Sequence, residues 1–238
     1  FKILRTYNFE TNKMHKGNFL KTVITKKVNK DLNPVFLFSS VVPKVFRIIK
    51  KRFKLTKYKI LELKNLNLNK VIKINIKNKK QLGSDRIANA IGAKKFKNSL
   101  VLDFGTATTF DVIKNGAYEG GVIAPGVKLS IKNLSNATAL LPLINLNSNQ
   151  KNYGKNTKEA LNSGFIWGYE GLINNIINKI ISKNKIKYKI IFTGGYANFF
   201  KKLIKKKNTL VDQNITVKGI SNVYKELLWV KKNYFFVP

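Results

Sequence analysis

The sequence predicts an α/β fold, and three observations carry that reading. Apolar runs of strand length alternate with segments of helical periodicity along most of the 238 residues. Asn115-Gly116, the strongest two-residue hairpin signal, stands between two β-rich stretches. Asn156–Lys183 repeats its apolar residues at helical spacing over far more length than a strand uses.

Taken in order, Phe1–Phe9 alternates weakly and reads as a strand. Pro34–Val42 (PVFLFSSVV) is an apolar run that ends at Pro43, the pattern of a buried strand. Pro43–Phe53 places Val45, Phe46, Ile49 and Phe53 on one helical face. Leu55–Ile60 and Val71–Ile76 read as strands. Ser84 is placed to cap a helix that runs to Lys95, which puts Asp85 in its first turn. Leu100–Asp103 and Thr108–Ile113 form one strand region, and Tyr118–Ile123 returns after the Asn-Gly turn to end at Pro125-Gly126. A helix is predicted over Lys128–Thr138. In the long helix, Asn156 and Glu159 have the spacing of a capping box, and Leu161, Phe165, Tyr169, Leu172, Ile173, Ile176, Ile177 and Ile180 form its apolar stripe. Tyr188–Phe192 is a strand stopped by Thr193-Gly194-Gly195, with helices from Ala197 and over Ser221–Trp229.

Composition narrows the chemistry. Hydrophobic residues make up 44%, which excludes disorder as the overall state. No run approaches the ~18 consecutive apolar residues of a transmembrane helix, and no signal-peptide pattern opens the chain. The expected location is therefore cytoplasmic, with no membrane partner. Cysteine is absent, which removes disulfides, thiolate nucleophiles and cysteine–zinc sites. His15 is the single histidine, so neither a histidine metal cluster nor a histidine-based triad is available. Carboxylates, hydroxyls, backbone amides and cations remain.

Lysine and arginine number 46 against 11 acids, a net charge of +35. That invites a nucleic-acid reading. Against it, only Arg5, Arg47, Arg52 and Arg86 are arginine, the residue whose planar fork suits phosphates and bases. Lysine, asparagine, isoleucine and phenylalanine all have AT-rich codons, and the lysines are scattered. Base composition of the gene explains the charge without a nucleic-acid ligand.

Four segments have the makings of a site. Asp103-Phe104-Gly105-Thr106-Ala107-Thr108-Thr109 sets an aspartate at a strand end before a glycine and hydroxyls. Gly105 would let the backbone approach a phosphate, and Asp103 would hold a charge-neutralising cation; the same residues also make an ordinary strand corner. Asp85, ionised in the positive end of a helix dipole, has the placement of a general base, with Arg86 beside it to clamp an anion; a plain helix-start acid is the alternative. Gly194 and Gly195 would admit a flat ligand such as adenine, or simply make a β–α turn. Gly154-Lys155-Asn156-Thr157 reads first as a capped helix start.

The order of these segments is more specific than any one of them. SSVVP, GSDRIANAIGA, VLDFGTATTFDVI, the NG turn, GGVIAPG, TALLP, GKNTKEALNSGFIWGYEGLI, TGGYA and VKGI together closely resemble the type III pantothenate kinase family, over roughly Phe36–Leu227. The resemblance implies the actin and sugar-kinase superfamily architecture. That architecture has two ribonuclease H-like lobes with mixed five-stranded sheets flanked by helices, here expected at residues 1–98 and 99–238. It implies ATP-dependent phosphorylation of pantothenate to 4′-phosphopantothenate, the first committed step towards coenzyme A, using ATP with Mg2+ and a monovalent cation, K+ or NH4+. By resemblance Asp85 is the catalytic base, Gly83, Ser84 and Arg86 contact pantothenate, Asp103 is the monovalent-cation ligand, Thr106 contacts ATP, and Thr157 contacts pantothenate in a homodimer.

Two departures are visible. The family opens with a strand carrying an Asp-x-Gly-Asn-Thr phosphate loop that this sequence, beginning at Phe1, lacks. Phe1–Asn12 resembles the segment just after that loop's hairpin, and without the loop ATP binding is expected to be weak. Ile76 stands seven residues before Gly83, where the family often has tyrosine. The alternative readings are a catalytically impaired or regulatory, transcription-accessory member of the family, and a superfamily kinase acting on a sugar or acetate.

Overall fold

In a computed structural model, residues 35–40, 43–54, 59–148, 152–183 and 186–229 are described. The expected strand at Phe1–Phe9 lies outside them. The elements run β1 (Val35–Phe38), α1 (Pro43–Arg52), β2 (Lys59–Glu62), three short 3-10 turns, α2 (Ser84–Ala93), β3 (Ser99–Phe104), β4 (Ala107–Lys114) and β5 (Ala117–Pro125). Then come α3 (Val127–Asn136), α4 (Thr157–Ser182), β6 (Lys189–Gly194), α5 (Ala197–Leu203), β7 (Thr209–Val211) and α6 (Ile215–Val223), with a π turn at Tyr224–Trp229. The chain divides into two compact units, residues 93–215 and residues 1–92 with 216–238.

The first unit, residues 93–215, is built on a five-stranded sheet in the order β5-β4-β3-β6-β7. β4 is antiparallel to both β3 and β5, while β6 is parallel to β3 and to β7. That order, with its antiparallel second strand, is the ribonuclease H-like sheet. Asn115 and Gly116 take φ of 51° and 75°, as a two-residue hairpin between β4 and β5 requires. The two stretches read as one strand region, Leu100–Asp103 and Thr108–Ile113, are two antiparallel strands, β3 and β4, and the chain doubles back between them at Gly105-Thr106.

One face of this sheet forms the core. Leu100, Leu102, Phe104, Phe110, Ile190 and Phe192 pack with Tyr169, Ile173 and Ile177 of α4, Val127 and Ile131 of α3, and Phe200 of α5. Each fully buried large side chain of this set contributes about 1.5–3 kcal/mol. The Phe104 ring stacks on Phe192 at 6.0 Å and on Phe200 at 5.3 Å, so the residue between Asp103 and Gly105 is anchored on both sides.

In the other unit, β1 and β2 pair in parallel. Phe36 stacks on Phe53, and Phe38 meets Phe46 edge-on. Val71–Ile76 forms no strand beyond one isolated bridge residue, Ile74. The Val71 and Ile72 amides are both spent on Leu68 O, at 2.8 and 2.9 Å, so the segment leaves a 3-10 turn without free ladder donors at its start. α6 lies against α2: a Cβ on Gly219 would run into the Ala88 backbone, and Thr216 Oγ1 donates to Asn89 Oδ1 at 2.6 Å. The late VKGI segment thus braces the helix that begins at Ser84.

Candidate functional site

Asp103 sits at the end of β3, where register places Thr109 of β4 on one side and Thr193 of β6 on the other. The turn is centred on Thr106, with Gly105 facing Ala107, and folding the strand back about that residue sets residue 103 opposite 109. Neither Thr109 nor Thr193 is assigned a role by sequence reasoning, although that spacing was the signal that could have found Thr109. Thr193 is buried, and Thr109 Oγ1 is buried with no hydrogen-bond partner among the described residues. One carboxylate flanked by hydroxyls is an all-oxygen donor set of low charge, which fits a monovalent cation at Asp103. Among the described residues no group of three or more histidine, cysteine, aspartate or glutamate side chains exists to hold a metal. Mg2+, which typically binds through one or two carboxylates plus substrate phosphates, would arrive with the nucleotide.

The turn beyond Asp103 is fixed from three directions. Gly105 N donates to Ala107 O at 3.1 Å across the turn. Gly195 N donates to Phe104 O at 3.0 Å. At Gly126, which precedes α3, an added Cβ would collide with the carbonyl oxygens of Thr106 and Gly105. The turn opens on a cavity of about 350 Å³ lined by Phe104, Gly105, Thr106, Lys128, Leu129, Lys132, Gly195 and Tyr196. Gly194, at φ +85°, packs against Asp103 instead of lining it.

The Gly83–Arg86 loop belongs to the other unit. Its helix begins one residue earlier than the sequence predicts: Ile87 N donates to Gly83 O, so Gly83 occupies the cap position and Ser84 the first turn. The Ser84 hydroxyl instead donates to Ser40 O at 2.8 Å, tying the loop to the SSVVP segment. Asp85 Oδ1 accepts from Arg86 N at 2.8 Å, which holds the carboxylate at the helix start. Both Asp85 and Arg86 stay partly accessible.

Thr157 opens α4. Asn156 Oδ1 accepts from Glu159 N at 3.0 Å, while the Glu159 carboxylate accepts from Lys155 N and from the Asn156 amide, both at 2.9 Å. Thr157 lines a separate, mostly apolar cavity with Leu134, Leu141, Ala160, Leu161, Gly164 and Phe165. Asp103, Gly105, Thr106, Gly194 and Gly195 are therefore gathered at one end of the five-stranded sheet, and Thr157 stands in a cavity of its own.

The sequence profile of the type III pantothenate kinase family matches residues 1–179. The chain belongs to the type III pantothenate kinase family. It is 50% identical over 213 residues to the type III pantothenate kinase of Pelagibacter ubique strain HTCC1062, covering 88% of this chain and 85% of that one. It is 35% identical to that of Sulfurihydrogenibium sp. strain YO3AOP1, covering 80% and 76%. A crystal structure from Campylobacter jejuni, described as a Baf family transcriptional activator, shares the fold with a TM-score of 0.59 at 22% identity, covering 87% of each chain. No described helix is long and apolar enough to cross a membrane.

Proposed function

We propose that the protein is an alcohol-group phosphotransferase that phosphorylates pantothenate to 4′-phosphopantothenate with MgATP, with a monovalent cation, K+ or NH4+, at Asp103. What carries the reading is the joint presence, in a chain of this family, of Asp85 in the first turn of α2 and of the Asp103 hairpin with its oxygen row. The pantothenate hydroxyl oxygen bonds to the γ-phosphorus, the bond to the bridging oxygen breaks, ADP leaves, and Asp85 takes the hydroxyl proton. Arg86 pairs with the pantothenate carboxylate, Gly83 and Ser84 contact the same substrate, and Thr157 contacts pantothenate in the homodimer. Gly105, Thr106 and Gly195 hold the nucleotide, and Gly194 keeps β6 close to Asp103. The metal ions spread the phosphate charge; the protein's own task is positioning.

We further infer lobes at residues 1–98 and 99–238 and a cytoplasmic homodimer. Leu140, Leu143, Tyr153 and Trp167 are exposed apolar side chains of the kind that a second copy would cover.

The test is ADP release by the full-length gene product given MgATP, pantothenate and K+. Asp85→Asn should lower kcat about 10²–10⁴-fold, with ATP still bound. Absence of pantothenate-dependent turnover in the unsubstituted protein, or full activity in Asp85→Asn, overturns the reading.

A further inference from the structure

The cavity beside the Gly105-Thr106 turn has a wall chemistry that the assignments so far leave unused. Lys128 and Lys132 lie four residues apart on α3 and both line it. Tyr196 closes the side next to Gly195. None of the lining residues is acidic. The Tyr196 ring is held by neighbours, edge-on to Phe199 at 6.3 Å and tilted on Phe200 at 6.3 Å, so its orientation is set before any ligand arrives. Burial raises the Tyr196 pKa above the ordinary phenol value, so the hydroxyl is a neutral donor at physiological pH.

A preset aromatic ring, a glycine that leaves the backbone bare, a hydroxyl and two ammonium groups without a carboxylate fit one class of ligand, a planar base joined to an anionic chain. The volume of about 350 Å³ is in the range of small-molecule sites. We propose that Tyr196 is the base-facing wall of the nucleotide site and that Lys128 and Lys132 are its polyphosphate-attracting pair. This rests on the reading that the nucleotide lies along the Gly105-Thr106 turn. Gly126 sets the arrangement, because its close approach to the turn brings the first turns of α3, and with them both lysines, alongside Thr106.

The two halves are separable with probes that carry only one feature. Binding of ATP, adenosine and inorganic tripolyphosphate would be titrated calorimetrically against the unsubstituted protein. Tyr196→Ala should weaken adenosine and ATP about tenfold and leave tripolyphosphate unchanged, while Tyr196→Phe, which keeps the ring, stays within about twofold for all three. Lys128→Ala with Lys132→Ala should weaken ATP and tripolyphosphate about tenfold, leave adenosine unchanged and flatten the salt dependence of ATP binding. Unchanged adenosine binding in Tyr196→Ala, or unchanged tripolyphosphate binding in the double lysine variant, overturns the proposal. Thr106→Ala separates it from its premise. If ATP binding is indifferent to Thr106→Ala, the nucleotide does not lie along the turn. If Thr106→Ala weakens ATP while the Tyr196 and lysine variants bind normally, only the present assignment falls.

Discussion

A methyl group on Gly194 would stand 2.6 Å from Asp103 Oδ1 and 2.7 Å from the Phe104 backbone, at a φ of +85° that L side chains rarely adopt. On Gly195 the nearest atom would be 3.9 Å away, at Phe104 O. The two glycines look alike in the sequence, where both invite a flat ligand. Their physical demands differ: Gly194 is there so that β6 can pass close to Asp103, and Gly195 leaves the cavity wall open. Gly194→Ala should therefore cost about 1–3 kcal/mol of stability, through strained backbone and displacement of the Asp103 carboxylate. Gly195→Ala should cost well under 1 kcal/mol. Urea unfolding of the two variants side by side checks the contrast, and equal losses would mean that β6 has room to shift away from Asp103.

At the scale of elements, local chemistry was legible wherever the backbone satisfies itself nearby. The capping box at Asn156–Glu159, the Asn115-Gly116 turn and the stripe of α4 were each visible because residues within a few positions settle their geometry. Val71–Ile76 misleads for a related reason. Val71 and Ile72 have near zero exposure and Ile74 and Ile76 are half-buried, but burial does not require a ladder, and the turn at Leu68 claims the first amides. β7 escapes notice because three residues after a lysine-rich stretch carry too little period to read. Ser84 shows the limit at the site itself: whether its hydroxyl caps its own helix or reaches Ser40, 44 positions away, is decided by tertiary contact. The α4 cap offers a direct check. Asn156→Ala removes the acceptor for Glu159 N and the donor to its carboxylate, and should cost about 1 kcal/mol. That is about 2–4 °C in Tm for a chain of this length. Asn156→Asp, which keeps the acceptor, should recover most of it. A loss of the same size in both variants would place the stabilisation in the amide donor instead of the cap.

For the whole molecule, the charge of +35 is a property of folding energetics before it is a property of binding. With 11 acids against 46 cations, one-to-one pairing leaves 35 cations without a carboxylate. Compaction brings those charges closer than they stand in the unfolded chain, so self-repulsion opposes the folded state. Salt shortens the reach of that repulsion, from a Debye length of about 30 Å at 0.01 M to about 8 Å at 0.15 M and 3 Å at 1 M. The Tm should accordingly rise by several degrees between about 0.02 and 0.5 M NaCl, with most of the gain below 0.15 M, where the screening length changes fastest. Surface ion pairs would give the opposite slope, since screening weakens attraction as well. NaCl and KCl at matched ionic strength separate screening from the cation at Asp103. Screening raises Tm equally in both, whereas site occupancy by K+ adds a further rise that Asp103→Asn abolishes. A Tm that is flat or falls with either salt would mean that the lysines are spread widely enough on the folded surface for their repulsion to be no greater than in the unfolded chain.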